Sequence, residues 1–334
     1  MPWNVVGQQQ VTEAFARGLR DGTLSHAYLL VGPTGVGKRA LATEMAAALN
    51  CRDSDKPCHA CSSCRRILAE KHPDVHVVEA SRDERGGDEY VHREIRIEQI
   101  RELQHQAALS PFEGRHRVFI VDGADRLRLE AANCLLKTLE EPPEATTLIL
   151  VSAAPHVLLP TVRSRCLKLT FAPLPLELVA TRVQELRQVD AATARLCAAL
   201  ADGSLAGALA LDPAALARRQ ELVQRLEALV PGEARGALLF AQDFAADRAS
   251  AEVHLDLVRT WYRDVAALGS GAPESALVNL DLAEQARASA GRLSPAQALL
   301  RLDLVAAARA RLKLNASPRL QLEQLLLRFL FPDA

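Results

Sequence analysis

The chain has 334 residues, 49% of them hydrophobic, and a formal net charge of −1. That length suits two or three domains rather than one, and the near-neutral balance argues against binding nucleic acid by bulk charge, though not against a local basic face. No apolar run approaches the ~20 residues of a membrane span, and Met1 to Gln10 lacks the basic-then-apolar layout of a secretory leader, so a cytoplasmic protein with no membrane partner is expected.

In chain order, Ala27 to Val31 predicts a short buried strand, followed by the glycine loop Gly32 to Gly37. Lys38 to Asn50 predicts a helix with Leu41, Met45 and Leu49 on one face. A cysteine-rich stretch, Cys51 to Cys64, precedes a predicted helix over Arg65 to Lys71. Val75 to Ala80 predicts a second strand. The charged segment Ser81 to Arg93, with Gly86-Gly87, reads as an exposed loop, and Ile97 to Leu109 as a helix. Arg117 to Val121 predicts a strand ending at Asp122. Leu129 to Glu141 predicts a helix stopped by Pro142-Pro143. Thr146 to Ser152 and Cys166 to Thr170 complete the strands. Strands alternating with helices imply a parallel sheet covered on both faces.

Pro173-Leu174-Pro175 marks a boundary near residue 170. A small helical unit is expected over residues 171–211, and Asp212-Pro213 opens a third, all-helical unit over 212–334. Its breaks are expected at Pro231-Gly232, Gly269 to Pro273 and Ser317-Pro318. Its core spacing is carried by Leu222, Leu226, Leu229, Leu299, Leu304, Leu322, Leu325, Leu326 and Phe329. The sequence does not separate core from interface among them.

Gly32-x-x-x-x-Gly37-Lys38, after a strand and before a helix, is a phosphate-loop pattern. Its glycines let backbone N–H groups curl around phosphate oxygens, with Thr34, Gly35 and Val36 inside the loop and Lys38 reaching the β- and γ-phosphates. The Ser or Thr hydroxyl that normally follows the lysine and binds Mg²⁺ is replaced by Arg39, a cation that cannot ligate a metal. ATP or ADP can still be accommodated; Mg²⁺ lacks a ligand. Asp122 ends an apolar strand as a second-motif metal acid would, although the same residue type also begins turns. Gly123, which follows Asp122, has no side chain to act as a base on water, and Asp125 lies beyond the strand end.

Cys51-x6-Cys58-x2-Cys61-x2-Cys64 puts four thiols within a span that closes a tetrahedral Zn²⁺ shell, a structural rather than a catalytic metal. His59 is a rival ligand, and a disulfide or an iron–sulfur cluster are the alternatives. Cys134, Cys166 and Cys197 read as small apolar residues within secondary structure.

The run SHAYLLVGPTGVGK (Ser25 to Lys38), the four-cysteine module, VFIVDGADRL (Val118 to Leu127), AANCLLKTLEEPP (Ala131 to Pro143) and RSRC (Arg163 to Cys166) together resemble the bacterial clamp-loader subunits of the AAA+ class. The resemblance implies an α/β AAA+ P-loop domain over 1–170, a helical lid over 171–211 and a helical collar over 212–334. It implies that Arg165 acts in trans, reaching the γ-phosphate in a neighbouring subunit's site; without that context Arg165 would read as a surface ion-pair residue. The lid sensor arginine of the family's motors falls on Ala206 in Gly203-Ser204-Leu205-Ala206, and Ser152 is a weak match to the first sensor. Arg39, Gly123 and Ala206 each remove a different part of a hydrolytic site while Arg165 remains. That pattern is similar to the family's non-hydrolysing branch.

The implied partners are gamma/tau and delta subunits, with the sliding clamp and primed DNA engaged through the complex. Two other functions compete: an ATP-hydrolysing gamma/tau-type motor, and a zinc-dependent nucleic-acid-binding protein with a vestigial P-loop. Arg93, Arg96 and Arg101 could face a duplex backbone, or form an ordinary solvated face.

Overall fold

The computed structural model describes residues 3–80, 94–314 and 316–331. The segment expected as an exposed loop, Ser81 to Arg93, lies outside the described residues, and with it the Arg93 contact. The chain divides into two compact units. One runs to Leu178 and also takes in Gly203–Ala206; the other holds Val179–Asp202 and everything from Gly207 onward.

The first unit is built from α1 (Gln9–Asp21), β1 (Ala27–Val31), α2 (Lys38–Asn50), α3 (Ser62–Leu68), β2 (Val75–Glu79), α4 (Ile97–Ala107), β3 (Arg117–Asp122), α5 (Leu129–Glu140), β4 (Thr146–Ser152), α6 (Pro160–Arg163) and β5 (Leu167–Thr170). The five strands are parallel, in the order β2-β3-β4-β1-β5. Period-2 alternation sends their side chains to two cores. Tyr28, Leu30, Val118, Ile120, Ile149 and Val151 meet α1, α2 and α3. Leu29, Val31, Phe119, Val121, Leu148 and Leu150 meet α4, α5 and α6. A sheet covered on both faces has no polar side to offer, so β1, β4 and most of β3 are apolar runs rather than alternations.

Leu41, Met45 and Leu49 are buried under the sheet as their spacing predicts. The helix expected over Arg65 to Lys71 instead spans Ser62–Leu68. It starts earlier because the Cys61 side chain caps the Cys64 N–H, and it ends before Glu70, whose φ of +56° is incompatible with a continuing right-handed helix. Cys166 falls outside the last strand, which begins at Leu167. Helix α1 was not anticipated, although Val11 and Phe15, four apart, are both buried.

The chain continues through α7 (Leu176–Arg187), α8 (Ala191–Leu200), α9 (Leu205–Ala210), α10 (Pro213–Glu227), α11 (Ala234–Phe244), α12 (Arg248–Gly269), α13 (Ala283–Arg292), α14 (Pro295–Lys313) and α15 (Pro318–Leu330). Asp212 caps α10 through the Ala215 N–H, with Pro213 as its first residue. The core of the second unit gathers around α12, where Leu255, Val258, Trp261, Tyr262 and Val265 meet apolar faces of α10, α11, α14 and α15. Leu299, one of the positions the sequence leaves between core and interface, is 55% exposed. Helix α14 instead turns inward the face carrying Ala298, Val305, Ala308 and Leu312, whose small residues give no strong apolar signal.

Candidate functional site

The glycine loop joins the C-terminal end of β1 to the N-terminus of α2, where unpaired backbone N–H groups gather. Gly35 and Gly37 have φ of +78° and +99°, conformations that glycine adopts without strain. Thr34 is exposed at the loop's apex, whereas Val36 is buried in the α2 core. Gly32 abuts the chain after β5, and a Cβ there would sit 2.5 Å from the Phe171 carbonyl oxygen. Lys38 is 6% exposed, and its ammonium donates to the carbonyls of Gly32 and Pro33. Burial lowers the Lys38 pKa, while the charges of Asp122 and Asp125 oppose that shift.

Arg39 lies where a metal-binding hydroxyl would follow that lysine. Its guanidinium reaches Glu70 at 2.7 Å, Glu79 at 3.0 Å and Asp122 at 3.4 Å. The register of the sheet explains the convergence: Glu79 and Asp122 are partners at the C-terminal ends of β2 and β3. Burial raises the Asp122 pKa, and Glu79 adds to that, while Arg39, Lys38 and Arg126 oppose it. The participation of Glu70 and Glu79 was missed at the sequence level. Neither belongs to a motif: the pairing of two strand ends sets Glu79 beside Asp122, and Glu70 comes from the turn after α3.

Gly123 has φ of +80°, and a Cβ there would lie 3.4 Å from the Arg126 side chain. Asp125 accepts hydrogen bonds from the Ser152 hydroxyl at 2.7 Å and the Ala153 N–H at 3.0 Å. Its carboxylate is thus tied to the end of β4. The Gly203–Ala206 segment packs on the glycine loop: the Ala206 N–H donates to the Gly35 carbonyl at 3.2 Å, and a Cβ on Gly35 would lie 2.1 Å from the Ser204 hydroxyl.

Below α2, the Sγ atoms of Cys51, Cys58, Cys61 and Cys64 all lie within 4.8 Å of one another. A tetrahedral shell with Zn–S bonds of about 2.3 Å has sulfurs about 3.8 Å apart, so this donor set fits the ion with small closure. The Cys61 and Cys64 N–H groups donate to the preceding sulfurs at 3.3 and 3.4 Å. Burial works to raise the Cys61 thiol, but hydrogen bonds from Cys64 and Cys58 outweigh it and bring it down to about 6. His59 pairs instead with the buried Glu44 carboxylate at 2.7 Å. Of the other cysteines, Cys197 is buried in the second unit; Cys134 and Cys166 are half-buried, and burial pushes the Cys166 thiol up to about 12.

Arg165 sits between α6 and β5. Its guanidinium bonds Glu140 at 2.7 Å and the Thr161 carbonyl at 3.0 Å. Arg96 precedes α4, where its backbone N–H donates to the Gln99 side chain, and Arg101 is exposed on that helix.

A doubly covered parallel sheet in this strand order, with a glycine loop after β1, the strand between β4 and β5, and an acid at the tip of β3, defines an AAA+ type P-loop protein. The profile of the family described as DNA polymerase III, delta subunit, matches residues 7–175. The chain is 30% identical to the DNA polymerase III subunit delta' of Bacillus subtilis over 289 residues, covering 85% of this chain and 84% of that one. It is also 30% identical to subunit tau of the same organism over 234 residues, 68% of this chain but only 40% of the longer relative. The chain belongs to this family of DNA polymerase III clamp-loader subunits. A gamma subunit-related protein of Thermotoga maritima superposes with a TM-score of 0.42 at 18% identity, over 93% of this chain and 97% of that one.

Proposed function

We propose that this chain is a non-hydrolysing, delta-prime-type subunit that helps load a sliding clamp onto primed DNA and donates Arg165 to a neighbouring ATPase subunit. The observation that carries this reading is Arg39. Its guanidinium lies among Asp122, Glu79 and Glu70, where a hydrolytic site would need a divalent cation. A fixed cation there offers no coordination position for a nucleotide's phosphates. Gly123 adds a second lesion, because no carboxylate follows Asp122 to polarise water. Ala206 adds a third, being an apolar contact on Gly35 where a motor would carry a cation.

On this reading residues 1–170 form the P-loop domain, 171–211 the lid and 212–334 the collar that joins gamma/tau and delta subunits. The four cysteines hold a structural Zn²⁺. Arg165 suits its role because a planar guanidinium stabilises phosphoryl charge.

The test is Mg²⁺-dependent ATP hydrolysis by the purified chain, alone and with its tau- and delta-type partners and primed DNA. The expected result is background turnover alone, and a complex whose turnover falls by two or more orders of magnitude with Arg165→Ala, consistent with the roughly 10³-fold or larger worth of such an arginine. Robust turnover by the isolated chain would make it a motor instead.

A further inference from the structure

Arg165 and Glu140 lie in two separate sequence runs, Arg163 to Cys166 and Ala131 to Pro143, and the structure joins them in an ion pair. Glu140 is in the last turn of α5, where a negative charge opposes the helix dipole. A local helix-stabilising role is therefore a poor reason for an acid there. Its partner across the turn is Arg165, with Nη2 2.7 Å from the Glu140 carboxylate.

The pair stands on well-packed backbone. Leu139, next to Glu140, and Val162, three residues before Arg165, are buried in the same core under the sheet. The Leu139 carbonyl is held by the His26 ring at 3.0 Å. The Arg165 backbone N–H donates to the Val162 carbonyl at 3.2 Å, and β5 begins two residues later on its partner β1. On the other side of the guanidinium, Nη1 donates to the Thr161 carbonyl at 3.0 Å. Two acceptors on two different helices thus fix a side chain that is otherwise long and rotamer-rich.

We propose that Glu140 is a positioning residue for Arg165, setting the plane and reach of the guanidinium before a neighbouring subunit's polyphosphate arrives. This rests on the trans role proposed for Arg165. The exposures decide between a positioner and a lock. Both side chains are substantially solvated, at 35% for Arg165 and 50% for Glu140. Ion pairs of that kind contribute little free energy, so Glu140 cannot hold the arginine against a multiply charged phosphate. It can select a rotamer, and a misplaced charge at a reacting centre is costly to rate. A fork with five donors can also keep one acceptor while offering other N–H groups to a second.

The experiment is steady-state ATP hydrolysis by the full complex reconstituted with tau- and delta-type partners, primed DNA and wild type, Glu140→Ala, Glu140→Gln, Arg165→Ala or the double Glu140→Ala/Arg165→Ala chain. Glu140→Ala is expected to lower kcat on the order of tenfold with KM for ATP little changed. Glu140→Gln, which keeps an acceptor oxygen, should recover most of that loss. The double variant should be no worse than Arg165→Ala alone, because Glu140 acts only through the arginine. Thermal melts of each isolated variant should match wild type, separating misplacement from misfolding. If Arg165→Ala cripples the complex while Glu140→Ala turns over normally or faster, the positioning role is wrong and the arginine's role survives. If Arg165→Ala itself has no effect, the trans role fails and the positioning role with it.

Discussion

The guanidinium of Arg39 lies 3.4 Å from the carboxylate of Asp122, the residue that ends β3 at the glycine loop. One side chain thereby supplies the positive charge that the acid at this position would otherwise recruit from solution. The second lesion cannot be reversed by simple replacement. At φ of +80°, Gly123 occupies backbone space that costs a side-chain-bearing residue about 1–2 kcal/mol. Gly123→Glu is therefore expected to lower thermal stability by that amount and leave ATP turnover at background, alone or with Arg39→Thr. Phosphate release from the purified variants, alongside their melting curves, checks both halves. Brisk hydrolysis by the Gly123→Glu/Arg39→Thr double variant would mean that the turn relaxes freely, and by Gly123→Glu alone that Arg39 does not block the site.

The cysteine cluster makes a second prediction. Cys51 and Cys64 are buried where α2, α3 and the sheet meet, while Cys58 and Cys61 are half-buried. A metal bound there ties the loop after α2 to the core, and its binding energy becomes folding energy. The purified chain is expected to carry one Zn²⁺ by elemental analysis. Chelation or Cys61→Ser should lower the melting temperature of the first unit by on the order of 5 °C or more. A metal-free chain with unaltered melting would remove zinc from the account.

Much of the first unit was legible because its strands are continuous apolar runs bounded by glycine, proline and acid. Ala27–Val31, Thr146–Ser152 and the helix Lys38–Asn50 begin and end where pattern alone puts them. The glycine loop and the four cysteines were legible for the same reason: each is a local motif whose chemistry needs fixed spacing. What escaped was non-local. Glu79 stands beside Asp122 only because β2 pairs with β3, Glu70 reaches Arg39 only because α3 packs on α2, and Glu140 meets Arg165 only because α6 folds back on α5. In the helical unit, leucine spacing alone does not mark the core face where alanines pack: Leu299 is exposed while Ala298 is fully buried. The break between α11 and α12 was also missed, since it is made by the Asp247 cap and carries no Pro or Gly.

His254 gives the second unit a dependence on pH. The residue is 4% exposed, and its ring Nδ1 faces the Phe244 carbonyl at 2.6 Å. Burial lowers its pKa, with Arg218 acting the same way and the Phe244 carbonyl and Asp247 opposing. An unfolded histidine titrates near about 6.5. The unfolded state therefore takes up the proton first on acidification, and the stabilising contribution, fully present above that value, is lost as pH falls below it. Urea unfolding followed by Trp261 fluorescence in a Trp3→Phe background should show stability declining between about pH 7 and 5.5, with a slope of at most about 1.4 kcal/mol per pH unit from this residue. His254→Gln should flatten the decline; equal slopes would assign it to other groups.

Asp264 makes the strongest stability prediction. Its carboxylate is fully buried within α12 and accepts hydrogen bonds from the Val278 and Asn279 backbone N–H groups and from the Asn279 side-chain amide at 2.8 Å. The Asn279 side-chain oxygen accepts in turn from Arg219 at 2.7 Å, and Arg219, only 1% exposed, is also paired with Asp281. One carboxylate thus fixes the turn before α13 and, through Asn279, orients a buried guanidinium on α10. Asp264→Ala leaves two backbone donors and an amide without their acceptor beside a buried position. At about 1–3 kcal/mol for each buried group left unmade, the expected loss is about 3 kcal/mol or more. Asp264→Asn keeps one acceptor oxygen and should lose less. Arg219→Met removes the buried charge together with its need for partners, so it should lose less than Asp264→Ala. Chemical denaturation of the three variants tests that ranking; a mild Asp264→Ala would mean that water or a rearranged turn satisfies those donors instead.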